Sequence, residues 1–330
     1  MDCRRCFKSM EKTWNGWELC DSCGYRYNTI TQTSPDDNKP IKMIVETDIG
    51  HDPDDFFALC YLFSAGVDIK AILISPGDES QIAVVDFLLK TLGKTDVLIG
   101  VPELGRRKEQ PTNIHKALLD VYKFPYFSSN AVLSHQLAVD ILTQHENIEF
   151  FGCGPLKTFG HIDLPHPINK AVMQGGFIGY DTHKINVKKL PKFEGKERCA
   201  TFNLNGDRNG AHNFLNMDIK SRFFVGKNVC HYMVYDTEVH KKIMSIKPEN
   251  RAAELFREGM EWRFKLNRDG KKYHDPTAAV LHLHPTIGCW VRAKPYCENG
   301  EWGSRLHDKD DFVLISVDED KVWEHLAMGV

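Results

Sequence analysis

The chain has 330 residues, of which 42% are hydrophobic and 26% charged, and its formal net charge at pH 7 is −3. This length accommodates one large α/β domain and a small appendage, with enough apolar residues for a sizeable core. The weak negative charge argues against general electrostatic binding to nucleic acid or to an anionic membrane, and no apolar run reaches the length of a membrane span. Because the amino terminus also lacks the apolar region of a signal peptide, we expect a cytoplasmic protein.

Two cysteine pairs, each with two intervening residues, lie at the start of the chain. They are Cys3 with Cys6 and Cys20 with Cys23. In a reducing compartment this spacing is typical of a structural zinc site, and a segment too short to bury a core would gain folding energy from the ion. Two redox dithiols or four unrelated cysteines are the alternative. We predict a zinc-binding module at 1–29 and, from its polar, proline-containing composition, a linker at 30–40.

From residue 41 onward, patterns typical of strands and helices alternate. Strands are predicted at 41–45, 69–75, 96–101, 148–153 and 171–179, and helices at 52–66, 80–93 and 131–145, with a long loop at 102–114. In the first helix, Asp52 is a suitable N-cap, Pro53 a suitable first helical residue and Gly66 a suitable end. The alternation predicts one α/β domain at 41–330, with a mostly parallel open sheet and helices on both faces.

Carboxylates are crowded directly after the first predicted strand. They are Asp48, Asp52, Asp54 and Asp55. Open α/β sheets bind their ligands at the carboxyl ends of strands, and like charges this close require a cation or a retained proton. Several oxygen donors, with no thiolate or imidazole among them, suit a hard ion such as calcium or magnesium.

Five motifs follow one another in a fixed order along the chain. They are Thr47-Asp48-x-Gly50 with Asp54-Asp55, the segment FGCGPLKT at 151–158, Met173-Gln174-Gly175-Gly176, Ala200-Thr201-Phe202-Asn203, and His274-Asp275-Pro276. With the closing segment 311–326, they resemble the nucleoside hydrolase family, the inosine–uridine-preferring N-ribohydrolases. The resemblance covers residues 41–330. It implies the α/β fold of that family and calcium-dependent hydrolysis of the N-glycosidic bond of a nucleoside.

The resemblance also implies roles for individual residues. The implied calcium ligands are Asp48, Asp55, Asp275 and the main-chain carbonyl of Cys153. Asp54 resembles the general base that activates water, and His274 the acid that protonates the departing base near neutral pH. The implied substrate contacts are Asp78, Thr201, Asn203 and His231. Asp52 falls in a stretch two residues longer than in the family, and we predict a structural role for it.

The region that would contact the 5′ end of the sugar departs from the family pattern. Thr201 stands where the family has a glutamate that binds the 5′-hydroxyl, so a 5′-phosphate would not be repelled. The preceding loop, 183–198, carries six Lys or Arg against two Glu. We predict that the lysines of 184–196 and Arg198 bind a phosphate through charge-assisted hydrogen bonds. The alternative is a solvated loop, with Thr201 bonded to the 5′-hydroxyl.

Three functions are therefore compatible with the sequence. The first is a calcium-dependent hydrolase of a nucleoside or of its 5′-monophosphate, with a small molecule as partner and no membrane. The second is a glycosidase that acts on a base within nucleic acid, which the nearly balanced charge of the amino-terminal module does not favour. The third is a non-catalytic, nucleoside-sensing module, against which the intact set of aspartates and His274 argues. The sequence is also compatible with a homo-oligomer.

Overall fold

The computed structural model describes residues 40–329, apart from 51, 108–109, 112, 184 and 267–269, together with three short amino-terminal strands. These strands, β1 (Glu11–Lys12), β2 (Trp17–Cys20) and β3 (Tyr25–Asn28), form a separate antiparallel sheet. The predicted zinc ligands Cys3, Cys6 and Cys23 lie outside the described residues, as do the side chain of Cys20 and nearly all of the predicted linker.

Within the described residues, one large sheet has eleven strands. In chain order, the remaining strands of the protein are β4 (Lys42–Thr47), β5 (Asp68–Ile74), β6 (Leu98–Val101), β7 (Val132–Leu133), β8 (Ile148–Gly152), β9 (Ile168–Gln174), β10 (Arg198–Cys199), β11 (Ile219–Val225), β12 (Val234–Tyr235), β13 (Lys271–Lys272), β14 (Gly288–Glu298), β15 (Glu301–Leu306) and β16 (Asp311–Val317). The large sheet has the order β10-β15-β14-β16-β11-β9-β8-β4-β5-β6-β7, and β12 pairs with β13 alone. From β16 to β7 all neighbours are parallel, whereas β14, β15 and β10 add an antiparallel edge.

Helices cover both faces of this sheet, as predicted. The α-helices are α1 (Asp54–Ser64), α2 (Glu79–Leu92), α3 (Asn113–Val121), α4 (Ser134–Gln144), α5 (Phe202–Gly206), α6 (Arg208–Phe214), α7 (Lys227–Cys230), α8 (Thr237–Met244), α9 (Arg251–Leu266), α10 (Asp275–Leu283) and α11 (Glu319–Gly329). Short 3-10 helices occur at Phe159–His161, Pro191–Phe193 and Pro285–Ile287. Within the part of the chain that the structure describes, no helix has the length and apolarity needed to cross a bilayer.

The two faces of the sheet belong to two separate cores. Met43 and Val45 of β4 pack with α1, α9, α10 and α11, whereas Ile44 between them packs with α4 and α6 on the opposite face. Successive side chains of a strand point to opposite faces, so a strand buried on both sides is continuously apolar. This explains why the parallel strands are uninterrupted apolar runs in the sequence.

Three local predictions are wrong. The cap of α1 is Pro53 rather than Asp52, since the Pro53 carbonyl accepts the Phe57 amide at 3.3 Å and no side chain caps the helix. The strand predicted at 171–179 ends at Gln174, because Gly175 and Gly176 have φ angles of +157° and +87° and turn the chain. The predicted loop at 102–114 overlaps the start of α3, which we did not predict.

The chain order of the strands creates a switch point at the centre of the sheet. From β4 the chain continues to β5, β6 and β7 on one side, and then returns to β8 on the other side of β4. Such a reversal leaves a crevice outside the carboxyl ends of the two strands, where α/β sheets bind ligands. Asp48 follows β4 and Cys153 follows β8. A Cβ added to Gly154 would lie 2.6 Å from the Asp48 nitrogen, so the two turns are in close contact.

Candidate active site

Three carboxylates from the first turns of two helices meet beside this switch point. Asp54 and Asp55 begin α1, Asp275 begins α10, and the two helices pack against each other. Each carboxylate offers an oxygen within 4.8 Å of the others, and their exposed fractions are 2%, 2% and 5%. Asp48, half-buried at the end of β4, is close enough to raise the pKa values of Asp55 and Asp275. The predicted acidic residues therefore do come together.

The cluster is strongly unfavourable as a set of anions. Burial raises the pKa of Asp54 to about 8 and that of Asp48 to about 7. The pKa values of Asp55 and Asp275 lie well above their usual range because of burial first and of the neighbouring carboxylates second. A bound cation would remove this penalty, so the electrostatics fit a metal ion at this place.

The donors present are those of a hard cation. Thr47 Oγ1 donates to Asp55 Oδ1 at 2.5 Å, which orients that carboxylate. Burial raises the pKa of the Cys153 thiol well above its usual range, so the thiol remains protonated and is a poor ligand. Its main-chain carbonyl accepts the Asn203 amide at 3.0 Å and retains a second lone pair. Carboxylate and carbonyl oxygens without thiolate are the ligand set of calcium or magnesium.

A lysine that the sequence motifs did not reveal lies in the acidic cluster. Lys271 Nζ is 2.8 Å from Asp52 Oδ1 and 3.2 Å from Asp54 Oδ1. Against the effect of burial, hydrogen bonds with Asp54 and the charge of Lys271 lower the pKa of Asp52 to about 2. Lys271 belongs to β13, and its only signal in the sequence is its position three residues before the His274 motif.

Two histidine rings stack beside Asp54. The rings of His231 and His274 have centroids 5.2 Å apart and an interplanar angle of 15°. The His274 amide donates to Asp54 Oδ2 at 3.2 Å, and its buried Nε2 has no partner among the described residues. Burial, and then Lys271, lower the pKa of His274 to about 4, while burial and then His274 lower that of His231 to about 3. Both rings are therefore neutral at pH 7, in contrast to the titration near neutrality that we expected of His274.

Asn203 and Thr201 lie where the chain enters α5. Besides the Cys153 carbonyl, the Asn203 amide nitrogen lies 2.8 Å from Gln174 Oε1 and 3.1 Å from the Gln174 carbonyl. Gln174, at the end of β9, belongs to the motif at 173–176, but no role at the site was predicted for it. Thr201 is 2% exposed, and its hydroxyl has no hydrogen-bond partner among the described residues. Asn203 thus links the ends of β8 and β9, and the Thr201 hydroxyl could still form a hydrogen bond with a ligand.

The structural role of Asp78 is sufficient to explain an aspartate at this position. Asp78 is the N-cap of α2, and its Oδ1 accepts the amides of Ser80 at 3.0 Å and Gln81 at 3.1 Å. Its Oδ2 is buried and has no partner in the described part of the chain. The side-chain amide of Gln81 donates through Nε2 to the main-chain carbonyl of Asp48 at 3.2 Å, which connects this turn to the acidic cluster. Contact of Asp78 with a substrate stays a prediction and depends on Oδ2 alone.

The same fold occurs in solved structures of known proteins. Solved structures with the same fold include the plant nucleoside hydrolase PpNRh1 enzyme (17% identity, 88% of this chain and 99% of that one, TM-score 0.65). The inosine-uridine preferring nucleoside hydrolase from Bacillus anthracis is similar too (13% identity, 88% and 100%, TM-score 0.63). The type III effector protein XopQ, solved in complex with adenosine diphosphate ribose, is also similar (11% identity, 88% of this chain and 93% of that one, TM-score 0.53).

The sequence itself gives a more specific result than these distant structural matches. No curated protein sequence matches the chain significantly. The family model described as "Inosine-uridine preferring nucleoside hydrolase" matches residues 43–324, which include all the aspartates and histidines of the candidate site. The chain therefore belongs to the inosine-uridine preferring nucleoside hydrolase family, whose members are N-glycosyl hydrolases.

Proposed function

We propose that this protein hydrolyses the N-glycosidic bond of a nucleoside or its 5′-monophosphate in a calcium-dependent reaction and releases the free base. The observation that carries the proposal is the buried cluster of Asp54, Asp55 and Asp275 beside Asp48 at the switch point of the sheet. A non-catalytic module would have no need for four carboxylates whose mutual repulsion disfavours their ionised forms.

The predicted ligand set supports calcium as the cation. Asp48, Asp55 and Asp275 would hold it together with the Cys153 carbonyl. Calcium binds six to eight oxygens in a flexible arrangement, which leaves room for a water molecule and two sugar hydroxyls. When bound, the cation supplies a positive charge that orients the sugar and makes the water more acidic.

Asp54 is proposed as the general base. Lys271 holds its Oδ1, and the His274 amide donates to its Oδ2, so the carboxylate has a defined orientation. It would accept a proton from the water as the water attacks the anomeric carbon. The sugar develops positive charge as the base departs, and the buried carboxylates around it would stabilise that charge.

His274 is proposed to assist the departing base. Because its ring is neutral at pH 7, an N–H hydrogen bond from the imidazole is more consistent with its surroundings than a resident imidazolium. His274→Ala is expected to lower kcat on natural nucleosides by about 10²-fold or more. An activated aryl riboside, whose leaving group needs no such assistance, should be cleaved almost normally.

The variant His274→Gln is a matched test of that prediction, since the amide keeps one hydrogen-bond donor but carries no transferable proton. Partial recovery of kcat relative to His274→Ala supports hydrogen bonding, whereas equal rates for the two variants support proton transfer. Equal losses on the nucleoside and the aryl riboside would assign a structural role to His274.

The 5′-monophosphate is the finer part of the proposal. Thr201 has a buried, unpartnered hydroxyl in the described part of the chain and contributes no negative charge. The similar fold of XopQ accommodates a phosphate-bearing ligand in its complex with adenosine diphosphate ribose. Two of the predicted phosphate donors are already paired, however, since Lys188 contacts Glu319 at 2.6 Å and Arg198 contacts Glu298 at 2.7 Å. A phosphate therefore requires other cations.

The direct test is release of free base from a panel of ribonucleosides, deoxynucleosides and their 5′-monophosphates, measured by chromatography with calcium present. Release from any member of the panel supports the proposal. Binding without turnover would favour a sensing module instead. Release from oligonucleotides only would favour a glycosidase that acts within nucleic acid.

A zinc ion at the amino terminus remains a separate proposal. We expect one equivalent of zinc, bound through Cys3, Cys6, Cys20 and Cys23, when the purified protein is analysed by mass spectrometry of its metals. The double variant Cys3→Ser/Cys6→Ser should lose that zinc and retain hydrolysis of a small substrate. A zinc content below half an equivalent in the intact protein would contradict the assignment.

A further inference from the structure

Three amino groups from distant parts of the chain surround His231. Lys192 comes from the 3-10 helix Pro191–Phe193, Lys227 begins α7, and Lys272 belongs to β13. Lys192 Nζ lies 2.5 Å from His231 Nδ1. In the described part of the chain none of the three lysines forms an ion pair with a carboxylate, whereas Lys188 and Arg198 of the loop at 183–198 are paired with Glu319 and Glu298.

The cluster is a region of unbalanced positive charge. The pKa of Lys192 is lowered by burial and then by the charges of Lys272 and Lys227. The same three lysines contribute to the low pKa of His231. Like charges at this distance repel each other, and a bound anion would relieve the repulsion.

The position of the cluster relates it to the candidate site. Lys227 Nζ donates to the Ala200 carbonyl at 2.6 Å, directly before Thr201, whose buried hydroxyl has no partner among the described residues. On the other side, the His231 ring stacks on His274. Lys192 and Lys272 are exposed, whereas Thr201 is buried, so these two lysines are accessible from solvent and the Thr201 hydroxyl is not.

We infer that Lys192, Lys227 and Lys272, with the hydroxyl of Thr201 beneath them, form the subsite for the 5′-phosphate of a nucleotide substrate. The inference rests on the proposed hydrolase function. A phosphate presents several strong acceptor oxygens, and lysine binds phosphate as a compact point charge with three donors. Three lysines gathered around one point suit a single terminal phosphate better than the backbone of a nucleic acid, which requires a basic track along the surface.

The double variant Lys227→Gln/Lys272→Gln tests the subsite, because it removes two charges and keeps the side chains polar. The loss of one charge-assisted hydrogen bond typically lowers affinity roughly tenfold or more. We expect kcat/KM for a 5′-monophosphate to fall at least tenfold more than kcat/KM for the matching nucleoside. An equal fall on both substrates, or no fall on either, would overturn the inference.

Lys220→Gln is the matched control. Lys220 is exposed at the start of β11, at the opposite end of this strand from Lys227, and its Nζ donates to Asn169. This variant also removes one positive charge and should leave the nucleotide-to-nucleoside ratio unchanged. Thr201→Glu should reverse the preference, since a carboxylate beneath the lysines would pair with them and repel phosphate.

Binding of ribose 5-phosphate and of ribose, measured by calorimetry with the calcium-loaded protein, provides a readout that does not require turnover. The wild-type protein should bind ribose 5-phosphate more tightly, and the double variant should lose that difference. If no substrate is cleaved but this difference is present, the proposed hydrolase function fails and the phosphate subsite stands. Loss of oligonucleotide binding in the variant, with ribose 5-phosphate binding unchanged, would instead assign the lysines to nucleic acid.

Discussion

Asp54→Asn is expected to lower kcat by about 10²–10⁴-fold, the usual contribution of a general base. The amide is isosteric with the carboxylate and keeps an acceptor for Lys271, but it cannot take a proton from water. Because calcium is proposed to bind Asp48, Asp55 and Asp275, the variant should still bind one calcium ion. Single-turnover kinetics and calcium titration on the same preparation measure the two quantities separately.

Asp52→Asn is the control for this substitution. Asp52 also contacts Lys271, but its side chain is exposed to solvent, whereas that of Asp54 is buried. We expect a small change in kcat, since only the orientation of Lys271 is affected. A greater loss in Asp52→Asn than in Asp54→Asn would exchange the two roles. Loss of calcium in Asp54→Asn would make Asp54 a ligand, which its position within 4.8 Å of Asp55 and Asp275 also permits.

Asp55→Asn is expected to abolish calcium binding and activity while making the metal-free protein more stable. The wild-type carboxylate is buried among other carboxylates, so it must either ionise there or hold a proton that the unfolded chain releases at pH 7. The neutral amide has neither cost and still accepts the Thr47 hydroxyl. Calcium at 100 times its Kd should stabilise the wild-type protein by about 2.7 kcal/mol and leave the variant unchanged. Thermal unfolding with calcium or with a chelator measures both effects.

The pH dependence of that experiment follows from the raised pKa values. For Asp48 (about 7) and Asp54 (about 8), the folded metal-free protein holds protons that the unfolded chain has released above pH 3.8. Its stability should therefore fall as the pH rises from about 4 to about 8, and calcium should oppose the fall. The proposed site would be contradicted if calcium shifted the thermal unfolding midpoint of Asp55→Asn, or if it did not shift that of the wild-type protein.

The parts of the site that local patterns predict are those at strand and helix ends. Asp54 and Asp55 begin the helix that follows a buried strand, and Asp275 begins a helix within a recognisable motif, so their grouping could be inferred from the expected α/β fold. Lys271 could not, because its contact with Asp54 depends on the pairing of β12 with β13 and joins residues far apart in the chain. The role of Gln174 could not be inferred either, although its motif was recognised, because its hydrogen bond with Asn203 joins two different turns.

The antiparallel edge of the sheet escaped prediction for a related reason. β14 alternates between buried and partly exposed residues from Val291 to Tyr296, which is typical of a sheet with one solvated face, and β15 is buried only at Trp302–Ser304. The continuous apolar runs that identify the parallel strands are absent from β14 and β15, so such runs alone predict no strand there. The N-cap assignment failed because α1 begins one residue later than expected, with the Pro53 carbonyl accepting the Phe57 amide. The Asp52 carboxylate accepts the Asp54 amide at 3.4 Å and also pairs with Lys271, a contact that local sequence does not reveal.

The last strand of the chain, β16, lies inside the sheet between β14 and β11 rather than at an edge. A ribosome therefore completes every residue of the candidate active site well before it completes the strand that joins the two parts of the sheet. Until then, β11 has an unpaired edge, of the kind that promotes association between chains. Association between nascent chains is thus expected to be strongest before β16 pairs with β11, although β16 contributes no residue to the proposed chemistry.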